Sequence, residues 1–422
     1  MTDFIGRQRA RVALLGLATV AGGLMATSAY AQSAPPFAQL YASTKDAPRQ
    51  MALDAEVDQA EGLARQARAR PNPTVSVMTE NMGGQRPYNG FGRSENTLQF
   101  NQPIELGGKR SARIAAGRAG VDAAMARTRE GRLTYAYELA MAYGGAEIAE
   151  QRIDLAQDEV EEAEADLRAA TALVDAGKEA RLRGLQAETE VNSLRAELDT
   201  AKAEKVGAYA RLAALAGEPT GFSSLAEPLL ARFEPKSAYG PVDPMQTAPY
   251  LAAKAEQEAA EKRLSVARRQ AIPDVTVSLG VRRLEVDRAN AFLGSLSLPL
   301  PLFDRNRGNI DAAEAETRLA EAQSRAAILN VEAETKAAMA LNEAADARVS
   351  ASKRTLGTAE ETYRLARIAY EAGKSPLLEL LTARHGLGVA RGVVLDAAAA
   401  RLEARARLAR LQGTTITGEP VQ

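Results

Sequence analysis

The chain has 422 residues, a formal net charge of −1, and neither cysteine nor tryptophan. The near-neutral balance gives no basis for a nucleic-acid partner. The lack of cysteine excludes disulfides, thiolate metal sites and a lipidated cysteine anchor.

At the N-terminus, Arg7, Arg9 and Arg11 precede an apolar run from Val12 to about Met25 and the small-residue segment Ala29-Tyr30-Ala31. This layout predicts a secretory signal peptide over 1–31, cleaved after Ala31. The run is about 14 residues, short of the roughly 20 that cross a bilayer as a helix. Its three Arg and one Asp leave with it, taking the net charge from −1 to about −3. No later stretch reaches about 18 consecutive apolar residues, so a β-barrel is the remaining spanning solution for an exported, membrane-linked chain.

Two copies of one module are predicted, over 32–217 and 245–413, each opening on a helix. Pro73-Thr74-Val75-Ser76-Val77 recurs as Pro273-Asp274-Val275-Thr276-Val277, and Gln102-Pro103-Ile104 is echoed by Leu300-Pro301-Leu302. Ala176-Gly177-Lys178 recurs as Ala372-Gly373-Lys374, and Leu215-Ala216-Gly217 as Leu411-Gln412-Gly413, so the offset drifts only from 200 to 196.

Within each copy, two alternating runs flank a polar, Gly-containing loop and predict strand pairs over about 73–103 and 273–301. Val275, Val277, Leu279 and Val281 alternate with polar or small residues, and Leu296, Leu298 and Leu300 mark the return. The period then changes. Leu139, Ala142, Ala146, Ala149, Ile153, Ala156, Val160, Ala163, Leu167, Ala170 and Val174 alternate spacings of three and four, a sustained heptad. Long helices are predicted from about Gly108 to Ala176 and from Asn306 to Ala372, each stopped by a glycine, followed by return helices ending near Gly217 and Gly413.

About 68 helical residues rise roughly 100 Å. The return helix after Gly177 and the helix from Met245 to Arg269 together nearly match that length, which predicts that these two stack end to end along the long helix. Between them, the Pro-rich segment 218–244 is predicted as an equatorial belt, and 414–422 as a C-terminal tail.

Each strand supplies about ten residues, the length a tilted transmembrane strand needs. Four strands cannot close a barrel, and open edges in lipid leave backbone groups unsatisfied. Three copies give about twelve strands, enough for an aqueous lumen. The expected fold class is therefore an α+β membrane protein: a trimeric β-barrel with four strands per chain, continuing into a long α-helical coiled-coil periplasmic tunnel.

Gln102-Pro103-Ile104-Glu105-Leu106-Gly107-Gly108-Lys109-Arg110, with Arg113, and Leu298-Pro299-Leu300-Pro301-Leu302-Phe303-Asp304-Arg305-Asn306-Arg307-Gly308 resemble the strand-to-helix junctions of TolC-type outer membrane factors. The likeness is strongest to the heavy-metal-efflux (CzcC-like) branch. It implies a homotrimer in outer-membrane lipid, a periplasmic adaptor (membrane fusion) protein, and an inner-membrane pump of the RND type. It also implies passive export, with heavy-metal cations as cargo by branch and drugs or other small molecules as the alternative. A periplasmic coiled-coil adaptor or scaffold is the rival of a different class, but it has no need of lipid-length strand pairs.

Gly177, Lys178, Gly373 and Lys374 stand at the turns farthest from the strands. Locally they are helix punctuation, and the family implies that such tips meet the adaptor. Glu379 falls where family members place an acid lining the tunnel end, which three-fold symmetry would turn into a cation-attracting ring. The competing reading is a solvated helix face. The matching position in the first copy is Arg183, which departs from an all-acidic gate and suggests an Arg183–Glu379 pairing instead. Lys109-Arg110 and Arg305-Asn306-Arg307 follow the strands at the periplasmic edge, either near anionic lipid headgroups or as solvated first-turn residues. Solvation is the favoured reading because basic residues do not complement a helix N-terminus, whereas Asp304 does and is a candidate cap. His385 is the sole histidine and the nine Met are scattered. No cofactor, resident metal site or catalytic constellation is expected, and hence no enzyme.

Overall fold

The computed structural model describes residues 32–232 and 242–421. The predicted leader and most of the Pro-rich segment's second half lie outside the described residues.

The chain opens with a short strand, β1 (Gln32–Ala34), and two helices, α1 (Phe37–Ser43) and α2 (Pro48–Ala67). A strand pair, β2 (Thr74–Glu80) and β3 (Glu95–Ile104), leads into α3 (Lys109–Asp175), which turns back into α4 (Arg181–Ala216). After β4 (Phe222–Leu225), the order helix, strand pair, long helix, return helix is met again. It consists of α5 (Ala248–Gln270), β5 (Val275–Leu284), β6 (Ala289–Ser297), α6 (Arg307–Glu371) and α7 (Leu377–Gln412). The alternating run was expected to carry the last strand to about 301. It stops at Ser297, because Pro299 and Pro301 cannot donate to a ladder.

The two strand pairs form one antiparallel sheet in the order β2-β3-β5-β6. Its middle seam joins halves far apart in sequence, with Phe100 opposite Leu279 and Leu98 opposite Val281. β2 and β6 are left as edges.

α3, with 67 residues, rises about 100 Å. It can lie against α2, α4, α5 and α7 because Ala fills so many of its inward positions, among them Ala136, Ala146, Ala156, Ala163 and Ala170. At its far end, Gly177 adopts φ +68° and the Lys178 amide donates to the Leu173 carbonyl at 2.9 Å. Gly373 repeats this with φ +67° and a 2.8 Å bond from Lys374 to Ala369. This six-to-one closure satisfies orphan carbonyls and needs the left-handed backbone that glycine adopts without strain.

The pairing of short helices differs from the expectation. α4 does not continue into α5: its terminal Gly217 lies against Ala47 and Pro48, so α4 stacks on α2. Likewise Val242, just before α5, packs with Leu408 and Leu411 of α7, and Val421 joins Ala248 of α5 to Gly413 beyond α7. The belt is correspondingly composite. Ala34, Phe37 and Leu40 from the N-terminus, Leu229 and Leu230 after β4, and Ile416 from the tail close over Tyr135, Leu139 and Tyr143 of α3. Parallel pairing of β1 with β4 ties two of these segments together. The Tyr143 hydroxyl donates to the Glu227 carbonyl at 2.7 Å. Buried Glu147 accepts the Leu229 and Leu230 amides at 2.7 and 3.0 Å, and burial raises its pKa.

Candidate functional site

The sheet has two unlike faces. On one, the register sets Val75, Phe100 and Leu279 in one row and Val77, Leu98, Val281 and Phe292 in the next. These side chains cover nothing in the chain: Val77 is 73% exposed and Phe292 90%. On the opposite face, Asn101 donates to Thr74 and Ser76 at 3.4 and 3.2 Å and accepts from Gln99 at 2.8 Å. Arg282 there reaches Glu95 at 2.7 Å, Glu80 at 2.9 Å and Thr97 at 3.0 Å, tying three strands together. Thr97 and Ser278 on this face are only 2% and 5% exposed. Apolar side chains out and bonded polar side chains in is the reverse of a water-soluble sheet, and it is the pattern of a barrel wall between lipid and water. β3, β5 and β6, with nine or ten residues, cover when tilted by about 45° roughly the 25 Å of apolar band that such walls present, whereas β2 has seven residues, fewer than the roughly ten expected. No helix among the described residues is long and apolar enough to cross a membrane.

At the other end of the long helices, all four predicted tip residues, Gly177, Lys178, Gly373 and Lys374, are exposed on the two turns. Arg183 and Glu379 each fall in the first turn of a return helix. Arg183 donates to Gln186 at 3.1 Å, Glu379 is exposed, and among the described residues no ion pair joins the two.

The charged group that does bind the helices together lies about 13 Å short of the tip, nine residues before the end of α3. The Arg384 guanidinium on α7 meets Asp166 of α3 at 3.4 Å and Glu190 of α4 at 2.8 Å. Tyr363 of α6 donates its hydroxyl to Asp166 at 3.4 Å. Asp166 and Arg384 are both buried, and burial pushes the Asp166 carboxyl up to about 6 against the opposing pull of Arg384 and Arg367. A bidentate pair, Arg391 with Glu162 at 3.0 and 3.3 Å, adds a second link between α7 and α3. Sequence reasoning missed this cluster, because Asp166 sits one position beside the heptad stripe, next to Leu167, and gives no break in it. Arg384 falls between Leu380 and Leu387.

The strand-to-helix junctions also differ from the expectation. Lys109 is not simply solvated, for its ammonium pairs with Asp274 at 2.9 Å. Asp304 accepts the Asn306 amide at 2.9 Å, holding the residue before α6 rather than capping the helix proper. Among the described residues, no group of three His, Cys, Asp or Glu side chains is placed to hold a metal ion.

An apolar-outside sheet carried on helices that extend about 100 Å defines an outer-membrane channel with a periplasmic extension. Comparison with known proteins agrees. The model of the outer membrane efflux protein family matches residues 42–218 and 249–414, and the chain belongs to that family of transport conduits. It is 38% identical to the nickel-cobalt-cadmium resistance protein NccC of Alcaligenes xylosoxydans xylosoxydans, over 92% of this chain and 89% of the relative. It is 31% identical to the cobalt-zinc-cadmium resistance protein CzcC of Cupriavidus metallidurans, over 80% and 79%. Among solved structures, a CusC channel superposes with TM-score 0.78 at 19% identity, covering 90% of this chain and 92% of that one. The outer membrane protein VceC of Vibrio cholerae gives 0.73 at 21%, covering 90% and 96%.

Proposed function

We propose that three copies of this chain form one twelve-stranded barrel and a shared helical tunnel that exports heavy-metal cations passively. The observation that carries the reading is the sheet: two-faced, four strands wide, and open at β2 and β6. Edge backbone left unpaired in lipid costs several kcal/mol per group, so β6 of one copy pairs with β2 of the next until the ring closes. The similarity of the two halves, 32–217 and 245–413, gives each protomer two quasi-equivalent arms of the tunnel wall.

Metal cargo is supported by the names of the relatives, which are resistance proteins for nickel, cobalt, cadmium and zinc. Selectivity belongs to an inner-membrane pump of the RND type, reached through a periplasmic adaptor at the tips Gly177-Lys178 and Gly373-Lys374. Arg183 and Glu379, which make no ion pair with each other among the described residues, are assigned to contacts between neighbouring protomers at the closed tunnel end.

Deletion of the gene tests the cargo. Sensitivity to nickel, cobalt, cadmium and zinc is expected to rise with tolerance to a drug panel unchanged. Unchanged metal tolerance with altered drug tolerance would instead make the protein an exit duct for drugs.

A further inference from the structure

We propose that the second strand-to-helix junction, Leu298–Arg307, is a lipid anchor that seats apolar side chains in the periplasmic edge of the bilayer and binds phospholipid phosphate with arginines. The inference rests on the barrel reading above and goes beyond it.

The register of β6 on β5, extended by one pair, sets Leu298 opposite Val275, level with the last row of the sheet. The chain does not then turn inward. Leu298, Leu300 and Leu302 are all exposed, and Phe303 is 99% exposed. The Leu302 amide bonds back to the Leu300 carbonyl at 2.8 Å, a tight turn that halts the chain here before α6 begins. An apolar prong therefore continues the lipid-facing band below the strands, at the level where membrane proteins place interfacial side chains.

Beside it Asp304 is engaged by the Asn306 amide at 2.9 Å, and the cations flanking it are those an interface would select. In the first junction every cation is satisfied within the chain. Lys109 pairs with Asp274, Arg110 donates to the Arg68 carbonyl at 2.9 Å, and Arg113 pairs with Glu105. In the second junction, Arg305 and Arg307 are exposed, and among the described residues neither makes an ion pair. Arg305 reaches only the Pro301 carbonyl, at 3.4 Å.

A neighbouring copy is a poor cover for this surface. Ring closure brings the lead-in to β2 beside the end of β6, and that lead-in reads Arg68-Ala69-Arg70-Pro71-Asn72-Pro73. It offers no large apolar side chain for Phe303 and adds two more cations. Phosphate accepts guanidinium bonds in bidentate fashion, so an anionic phospholipid supplies both the apolar and the charged complement.

The sequence has no tryptophan, so Phe303→Trp in the full mature chain introduces a single indole, and Phe292→Trp supplies a mid-band control. In reconstituted vesicles, the indole of the Phe303→Trp variant is expected to be quenched by lipids brominated near the headgroup. Brominated phosphatidylglycerol should quench it roughly two- to five-fold more than brominated phosphatidylcholine. Adding Arg305→Gln and Arg307→Gln should abolish that preference while the indole at position 303 stays lipid-quenched. The proposal is overturned if the indole at position 292 is quenched by lipid and the one at position 303 is not, whether the latter is open to aqueous acrylamide or buried against a second copy. It is also overturned if quenching shows no anionic preference. If neither position is quenched, the barrel reading itself fails.

Discussion

Asp166 and Arg384 show how a helical tip can hold charge away from water. Removing a charge partner inside a low-dielectric contact leaves an uncompensated ion, which costs about 3–5 kcal/mol. Arg384→Ala is therefore expected to lower the melting temperature sharply, and Asp166→Asn in the same chain to restore part of it. The raised Asp166 carboxyl, from 3.8 to about 6, sets a pH window. Between about pH 4 and 6 the folded chain still holds this proton while the unfolded chain has lost it, so stability falls as pH rises through the window. Relative to Asp166→Asn, the native protein should lose on the order of 1–3 kcal/mol across that range, measured as the difference in melting curves. A pH-independent difference would remove Asp166 from this role. In the sequence Asp166 lies beside an unbroken apolar stripe and Arg384 between Leu380 and Leu387, and neither position says which helix supplies the partner. Arg183 and Glu379 had the opposite fate: their matching positions in the two copies are plain in the sequence, but among the described residues no ion pair joins them and Arg183 bonds to Gln186 instead.

At the level of elements, the glycines at the turns were legible because a left-handed residue lets the Lys178 and Lys374 amides reach back five positions, to the Leu173 and Ala369 carbonyls. Replacing Gly177 by Val forces a β-branched residue to φ +68° and should cost about 1–2 kcal/mol. Limited proteolysis is expected to begin at the 176–180 turn in that variant, and unchanged proteolysis would show the turn to be tolerant. Helix ends and strand alternation were likewise readable from period and punctuation. The stacking of short helices was not. α2 and α5 have similar lengths, 20 and 23 residues, so either one with α4 nearly spans α3. The choice is made by contact of Gly217 with Ala47 and Pro48, a packing event with no local sequence signal. The composite belt was hidden for the same reason, as its three segments lie far apart in the chain.

For the whole molecule, the sheet forces a decision that a single chain cannot make. Its exposed face carries Val75, Val77, Leu98, Phe100, Leu279 and Phe292, and its edges carry unpaired backbone, so neither water nor lipid suits the isolated protomer. In the proposed trimer, lipid would satisfy the face and neighbouring copies the edges. The alternation in both strand pairs made this need visible from sequence, while the bonded polar lining, with Arg282 bridging Glu80 and Glu95, emerged only once the register was known. The most direct measurement is the native mass of the detergent-solubilised mature protein. Closure of the ring predicts three copies in one particle, and a single-chain particle that stays soluble without detergent would contradict it.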